Sequence, residues 1–116
     1  MDIEKLQAEL REFAKERDWE QFHTPKNLMM AMTGEVGELL EIFQWLSDSK
    51  SLSLDSDTKK ATAEELADIF IYLVRLSDIL EIDLEQSVKD KLELNGQKYP
   101  VHLSKGNAKK YNKRSD

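Results

Sequence analysis

The sequence predicts an all-α chain, an antiparallel four-helix bundle that self-associates. Three observations predict it. Apolar residues recur at spacings of three and four, and polar breaks divide the chain into four such stretches. No convincing strand can be read, and short connections between helices favour antiparallel neighbours.

The first helix is expected over roughly residues 2–17, where Leu6, Leu10 and Phe13 share a face. Asp18–Thr24 breaks the pattern. Thr24 is a good N-cap and Pro25 a good first helical residue for a second helix reaching about Trp45. Residues 47–57 (SDSKSLSLDSD) read as a loop. The third helix runs from about Thr58 to Leu80. Asp83 with Gln86 resembles a capping box for the fourth, which ends near Pro100, with Asn95-Gly96 as a weak spot that could cost it a turn.

The 116 residues have room for one domain, read as 1–103 and followed by a basic, flexible tail, 104–116. Five of the 17 basic residues and one of the 23 acidic ones fall in that tail. The body therefore keeps 12 and 22, a net −10 within an overall −6. An acidic body disfavours a nucleic-acid polymer as partner. No signal-type segment or membrane-length apolar run is visible, so a cytoplasmic location is the default expectation. Without cysteine, and with only His23 and His102, any metal has to be a hard cation held by oxygens.

The third helix is apolar on more than one side. Leu66, Ile69, Phe70, Leu73, Leu76 and Leu80 share an arc, while Ile71 and Ile79 fall outside it. In so small a chain the second side is expected to meet another subunit, giving a homo-oligomer.

Two carboxylate pairs stand out. Glu35 and Glu38 on the second helix, and Glu65 and Asp68 on the third, are each three residues apart and share a helix face. Glu35 falls within the apolar stripe of Leu28, Met32, Val36, Leu39, Ile42 and Phe43; Glu38 lies at its border. An unpaired carboxylate there costs several kcal/mol. Antiparallel packing could gather the four around one volume suited to Mg²⁺ or Mn²⁺. The bland alternative leaves the acids solvated, or Glu35 paired with a core cation. Arg75, the nearby candidate, projects away from Glu65 on the helical wheel.

Glu35-x-x-Glu38 followed after 26 residues by Glu65-x-x-Asp68 resembles the metal-binding signature of the MazG-like all-α nucleoside triphosphate pyrophosphohydrolases. The runs Glu16–His23 and Asn27–Trp45, the pattern Lys91-x-x-x-Asn95-x-x-Lys98-Tyr99-Pro100 and the closing Lys110-Tyr111 are similar to the dCTP pyrophosphatase branch. The resemblance implies cleavage between the α- and β-phosphates to a monophosphate and pyrophosphate. It implies dependence on Mg²⁺, with Mn²⁺ as a substitute, and a homodimer or homotetramer whose site draws on a neighbouring subunit. By it, Glu35, Glu38, Glu65 and Asp68 ligate metal, and Glu35 or Glu38 orients the attacking water. Trp19, Phe22, His23 and Trp45 resemble the base and sugar pocket, Tyr72 is placed for sugar or phosphate, and Lys91, Asn95 and Tyr99 resemble phosphate contacts. Some relatives carry a histidine in the first helix where this chain has Leu10, and Asn95-Gly96 replaces a more helix-favouring pair; both bear on nucleotide preference. A dUTP-type hydrolase, and a non-catalytic helical interaction module, are the competing readings.

Overall fold

Residues 1–113 are described by a computed structural model. They form helices and turns, with no strand among the described residues, in two units: Met1–Ile82 and a second starting at Asp83. None of the described helices is long and apolar enough to cross a membrane.

The first unit holds α1 (Ile3–Glu16), a 3₁₀ turn (Glu20–Phe22), α2 (Pro25–Phe43), α3 (Asp48–Ser51) and α4 (Ser56–Ile79). Each α-helix begins on a side-chain cap. Asp2 accepts from the Lys5 N–H, Thr24 from Asn27 at 3.2 Å, Ser47 from Lys50 and Asp55 from Thr58 at 2.7 Å. The expected loop 47–57 thus contains a helical turn. Its serines and aspartates read as loop formers, but Ser47 and Asp55 act as N-caps, and α4 begins at Ser56 rather than Thr58. Thr24→Ala should cost about 1 kcal/mol of stability; urea unfolding checks this, and an unchanged midpoint would remove the cap from the account.

α1 and α4 end in the same motif. Past α1, Asp18 adopts φ 54°, its N–H donates to the Lys15 carbonyl, and the Trp19 N–H donates to Ala14 at 2.9 Å. Past α4, Glu81 adopts φ 55°, donating to Asp78, and Ile82 donates to Ser77. These are Schellman ends with an acidic residue at the left-handed position glycine usually takes. The first reverses the chain sharply, so that Trp19 and His23 come back beside α1.

α4 packs against both α2 and α1. Glu35 and Glu38 lie with Glu65, whereas Leu28, seven residues before Glu35, shares a pocket with Tyr72 and Arg75. Numbers rise on α2 as they fall on α4, so the two helices run antiparallel. Ala14, Leu28 and Val74 are fully or almost fully buried, together with Ser77 and the charged Arg75. On α2, Met32, Leu39, Ile42 and Phe43 are half-buried as their stripe predicts, but Val36 stays 47% exposed. On α4, Leu66 and Leu80 at the ends of the main arc, and Ile71 outside it, are also exposed.

The second unit holds α5 (Leu84–Lys98), α6 (Val101–Ser104) and a 3₁₀ turn (Tyr111–Lys113). Asp83 caps α5 by accepting from the Gln86 N–H at 3.0 Å. The reciprocal half of a capping box is not made, because the Gln86 amide donates instead to Asp90 at 2.9 Å. α5 continues through Asn95-Gly96 without losing a turn. Of the expected tail, Ser104 closes α6 and 111–113 form the 3₁₀ turn; Arg114 to Asp116 lie outside the described residues.

Candidate functional site

α2 and α4 bring three of the four expected carboxylates together. Glu35, Glu38 and Glu65 each offer an oxygen, and these atoms all lie within 4.8 Å of one another. Glu35 and Glu65 are half-buried and Glu38 is exposed, as its border position predicts. One oxygen, Glu65 Oε2, is shut off from solvent and has no hydrogen-bond partner among the described residues. Ionised carboxylates only accept, so neither glutamate neighbour can satisfy it unless a proton or a cation enters the group.

The electrostatics express the same deficit. The Glu65 carboxyl is pushed up from its ordinary 4.5 to about 8, first by hydrogen bonding to Glu35, then to Glu38, with burial and like charge adding to it. Without a cation, one proton is therefore held among the three at neutral pH. Folding raises this pKa, so the associated stability is complete below the unfolded value of 4.5 and is lost as pH rises through about 8. In chelator, the melting temperature should fall across that window, and Glu65→Gln should flatten the fall. Circular dichroism melts across the window check it; a level wild-type profile would contradict it.

Glu35 also borders a pocket of about 350 Å³, lined further by Leu10, Phe13, Trp19, His23, Leu28, Asp68, Ile71, Tyr72 and Arg75. Asp68 therefore joins the site through this pocket, facing it with Glu35, while the tight oxygen cluster is made by the other three. One wall is a train of rings. The Arg17 guanidinium lies 3.6 Å from the centroid of Phe13, Phe13 meets Trp19 edge-on at 5.8 Å, and Trp19 meets His23 edge-on at 6.3 Å. Leu10 also lines the pocket.

Phe22 and Trp45 are not among the residues that line this pocket. Phe22 is 58% exposed and Trp45 87% exposed, so neither packs the core of the chain. The Phe22 carbonyl accepts from the Asn27 side chain at 3.0 Å, which ties the 3₁₀ turn to α2. Lys91, Asn95 and Tyr99 belong to the second unit: Lys91 and Asn95 within α5, and Tyr99 at its C-cap.

Arg75, set aside from the sequence as a partner for Glu35, lines the pocket instead. It is only 8% exposed, its Nε–H donates to His23 Nδ1 at 3.2 Å, and its Nη1 lies 3.6 Å from Asp78. Asp78 in turn pairs with Arg11 of α1 at 2.7 Å. Burial first, then the Arg75 charge, hold His23 below its ordinary pKa, so the imidazole is neutral at neutral pH. The sequence signal was an arginine flanked by Val74 and Leu76 in an apolar run. Its partner, 52 residues away, was not readable.

The chain is similar to several known proteins. The mouse protein dCTP pyrophosphatase 1 is 52% identical over 112 residues, and its human counterpart 46%. These matches cover 95% of this chain and 64% of the mammalian proteins, so the chain spans less than two thirds of their length. The crystal structure of a pyrophosphatase from Archaeoglobus fulgidus is similar with a TM-score of 0.78 and 46% identity, covering 84% of this chain and 91% of that one. The pattern of the MazG-like family matches residues 31–113, which include every residue of the acidic cluster, and the chain belongs to that family.

Proposed function

We propose that this chain is a Mg²⁺-dependent nucleoside triphosphate pyrophosphohydrolase, cleaving between the α- and β-phosphates and preferring dCTP or modified cytosine nucleotides. The observation that carries the reading is the double membership of Glu35. It is part of a three-carboxylate cluster with an unsatisfied buried oxygen, and it borders an apolar, aromatic-walled pocket. A hard cation and a flat heterocycle tethered to phosphates are the two ligands such neighbours suit.

The donor set fits the cation. Glu35, Glu38 and Glu65 would hold it, with Asp68 beside them, and an all-oxygen set selects Mg²⁺, with Mn²⁺ as a substitute. When bound, it supplies neutralisation of phosphate charge and activation of water. The protein groups do the rest. Trp19 and His23 receive the base, with Phe22 and Trp45 offering further aromatic surface, and Tyr72 meets sugar or phosphate. Glu35 or Glu38 orients the attacking water. Lys91, Asn95 and Tyr99 are assigned to phosphate contact by their likeness to the family.

Self-association as a homodimer or homotetramer belongs to the same proposal. Met30, Leu40, Leu66 and Trp45 are all more than half exposed on the single chain, an apolar surface that a second copy would cover. Competition among dCTP, its 5-modified analogues, dUTP and dTTP tests the substrate. Cytosine nucleotides hydrolysed best, with monophosphate and pyrophosphate as products, is the expected result; a dUTP preference would overturn the cytosine assignment and keep the chemistry.

A further inference from the structure

Arginine carries five N–H donors and no acceptor, and stays charged at any pH a protein meets. A hydrogen bond between Arg75 Nε and His23 Nδ1 therefore has one polarity. Nδ1 must be the bare, accepting nitrogen, and in the neutral ring the proton then resides on Nε2. Arg75 is held for this task from behind. Its guanidinium is buried, and Asp78, itself anchored by Arg11 at 2.7 Å, fixes its other edge at 3.6 Å. Trp19 limits the ring on another side. His23 Nε2 has no hydrogen-bond partner among the described residues, on a ring that lines the pocket.

We propose that Arg75 is a positioning residue that locks His23 as its Nε2–H tautomer, making the pocket wall a hydrogen-bond donor that accepts cytosine and rejects uracil and thymine. The discrimination follows from base chemistry. Cytosine N3 is a bare acceptor, whereas N3 of uracil and thymine carries a proton, so a locked donor pairs with the first and opposes the others. A free imidazole could exchange its tautomer and accept from N3–H; Arg75 forbids the exchange. This deepens the nucleotide reading of the same pocket and rests on it. Burial and the adjacent positive charge, which keep the ring neutral, act in the same direction.

The test has two arms. In the first, ¹⁵N-edited NMR of the wild-type protein without nucleotide reads the ring nitrogens of His23, distinguished from His102 by substitution of the latter. A bare Nδ1 and a protonated Nε2 are expected; a protonated Nδ1 overturns the proposal even if the enzyme is fully active. In the second, Arg75→Met is compared with wild type on dCTP and dUTP. The ratio of kcat/KM for the two should shrink roughly tenfold, mainly through KM, with the His23 signals moving to a tautomer mixture. An unchanged ratio with a folded variant overturns the selectivity. Should the variant not fold, Asp78→Asn, which loosens Arg75 without emptying its place, should shrink the ratio in the same direction, and an unchanged ratio there also overturns it. A wild-type protein silent on every nucleotide, with the tautomer as expected, would instead sink the catalytic reading and with it the selectivity.

Discussion

Glu35→Gln should abolish pyrophosphate release, by at least about a hundredfold, the scale of losing one group that stabilises transition-state charge. Glu35 is the member shared by the acidic cluster and the pocket, so under the proposed function its loss would remove a cation ligand beside the nucleotide. The same substitution should raise the melting temperature in chelator. The new amide has a donor that the enclosed Glu65 Oε2 lacks, and one charge of a repelling trio is gone. Loss of activity with a higher melting temperature separates a broken site from a broken fold. Full activity in the variant would end the metal assignment, and low activity with a collapsed circular dichroism spectrum would show Glu35 to be structural.

Mg²⁺ with a non-hydrolysable triphosphate should stabilise the folded chain strongly. A complex at a hundred times its dissociation constant contributes about 2.7 kcal/mol. In a domain of this size that corresponds to a rise in melting temperature on the order of 10 °C. The effect should need both components. The body of the chain is acidic, so a bare triphosphate meets repulsion. Calorimetric melts with nucleotide in chelator, with Mg²⁺ alone and with both give the comparison. Equal stabilisation by nucleotide in chelator would contradict a cation-mediated site, and no stabilisation in any mixture would favour the helical interaction module.

Much of the first unit was legible in the sequence because its signals are local. Thr24-Pro25 marks the start of α2 through cap chemistry and fixed φ alone, and the structure makes that cap. Glu35 stood out because helical geometry put a carboxylate into an apolar stripe, and it is half-buried against Glu65. Features set by distant contacts or by unusual backbone were not legible. The partnership of Arg75 with His23 joins α4 to the link before α2, and a helical wheel gives the direction of a side chain but not the reach of a long one. The Schellman ends at Asp18 and Glu81 were hidden because the usual glycine is absent. Short α3 was masked by the composition of its own caps. The main apolar arc of α4 is not wholly covered, since Leu66 and the C-cap Leu80 stay exposed on the single chain. Amphipathic patterning reports that a face is apolar; it does not say which surface covers it.

The most direct test of a cation-dependent triphosphate-cleaving site is pyrophosphate release from dCTP with Mg²⁺, then with excess chelator, then with Mg²⁺ restored. Release that stops in chelator and returns with the metal, with dCMP as the other product, is the predicted result. Release that continues undiminished in chelator, or none at all from a folded protein, would contradict it.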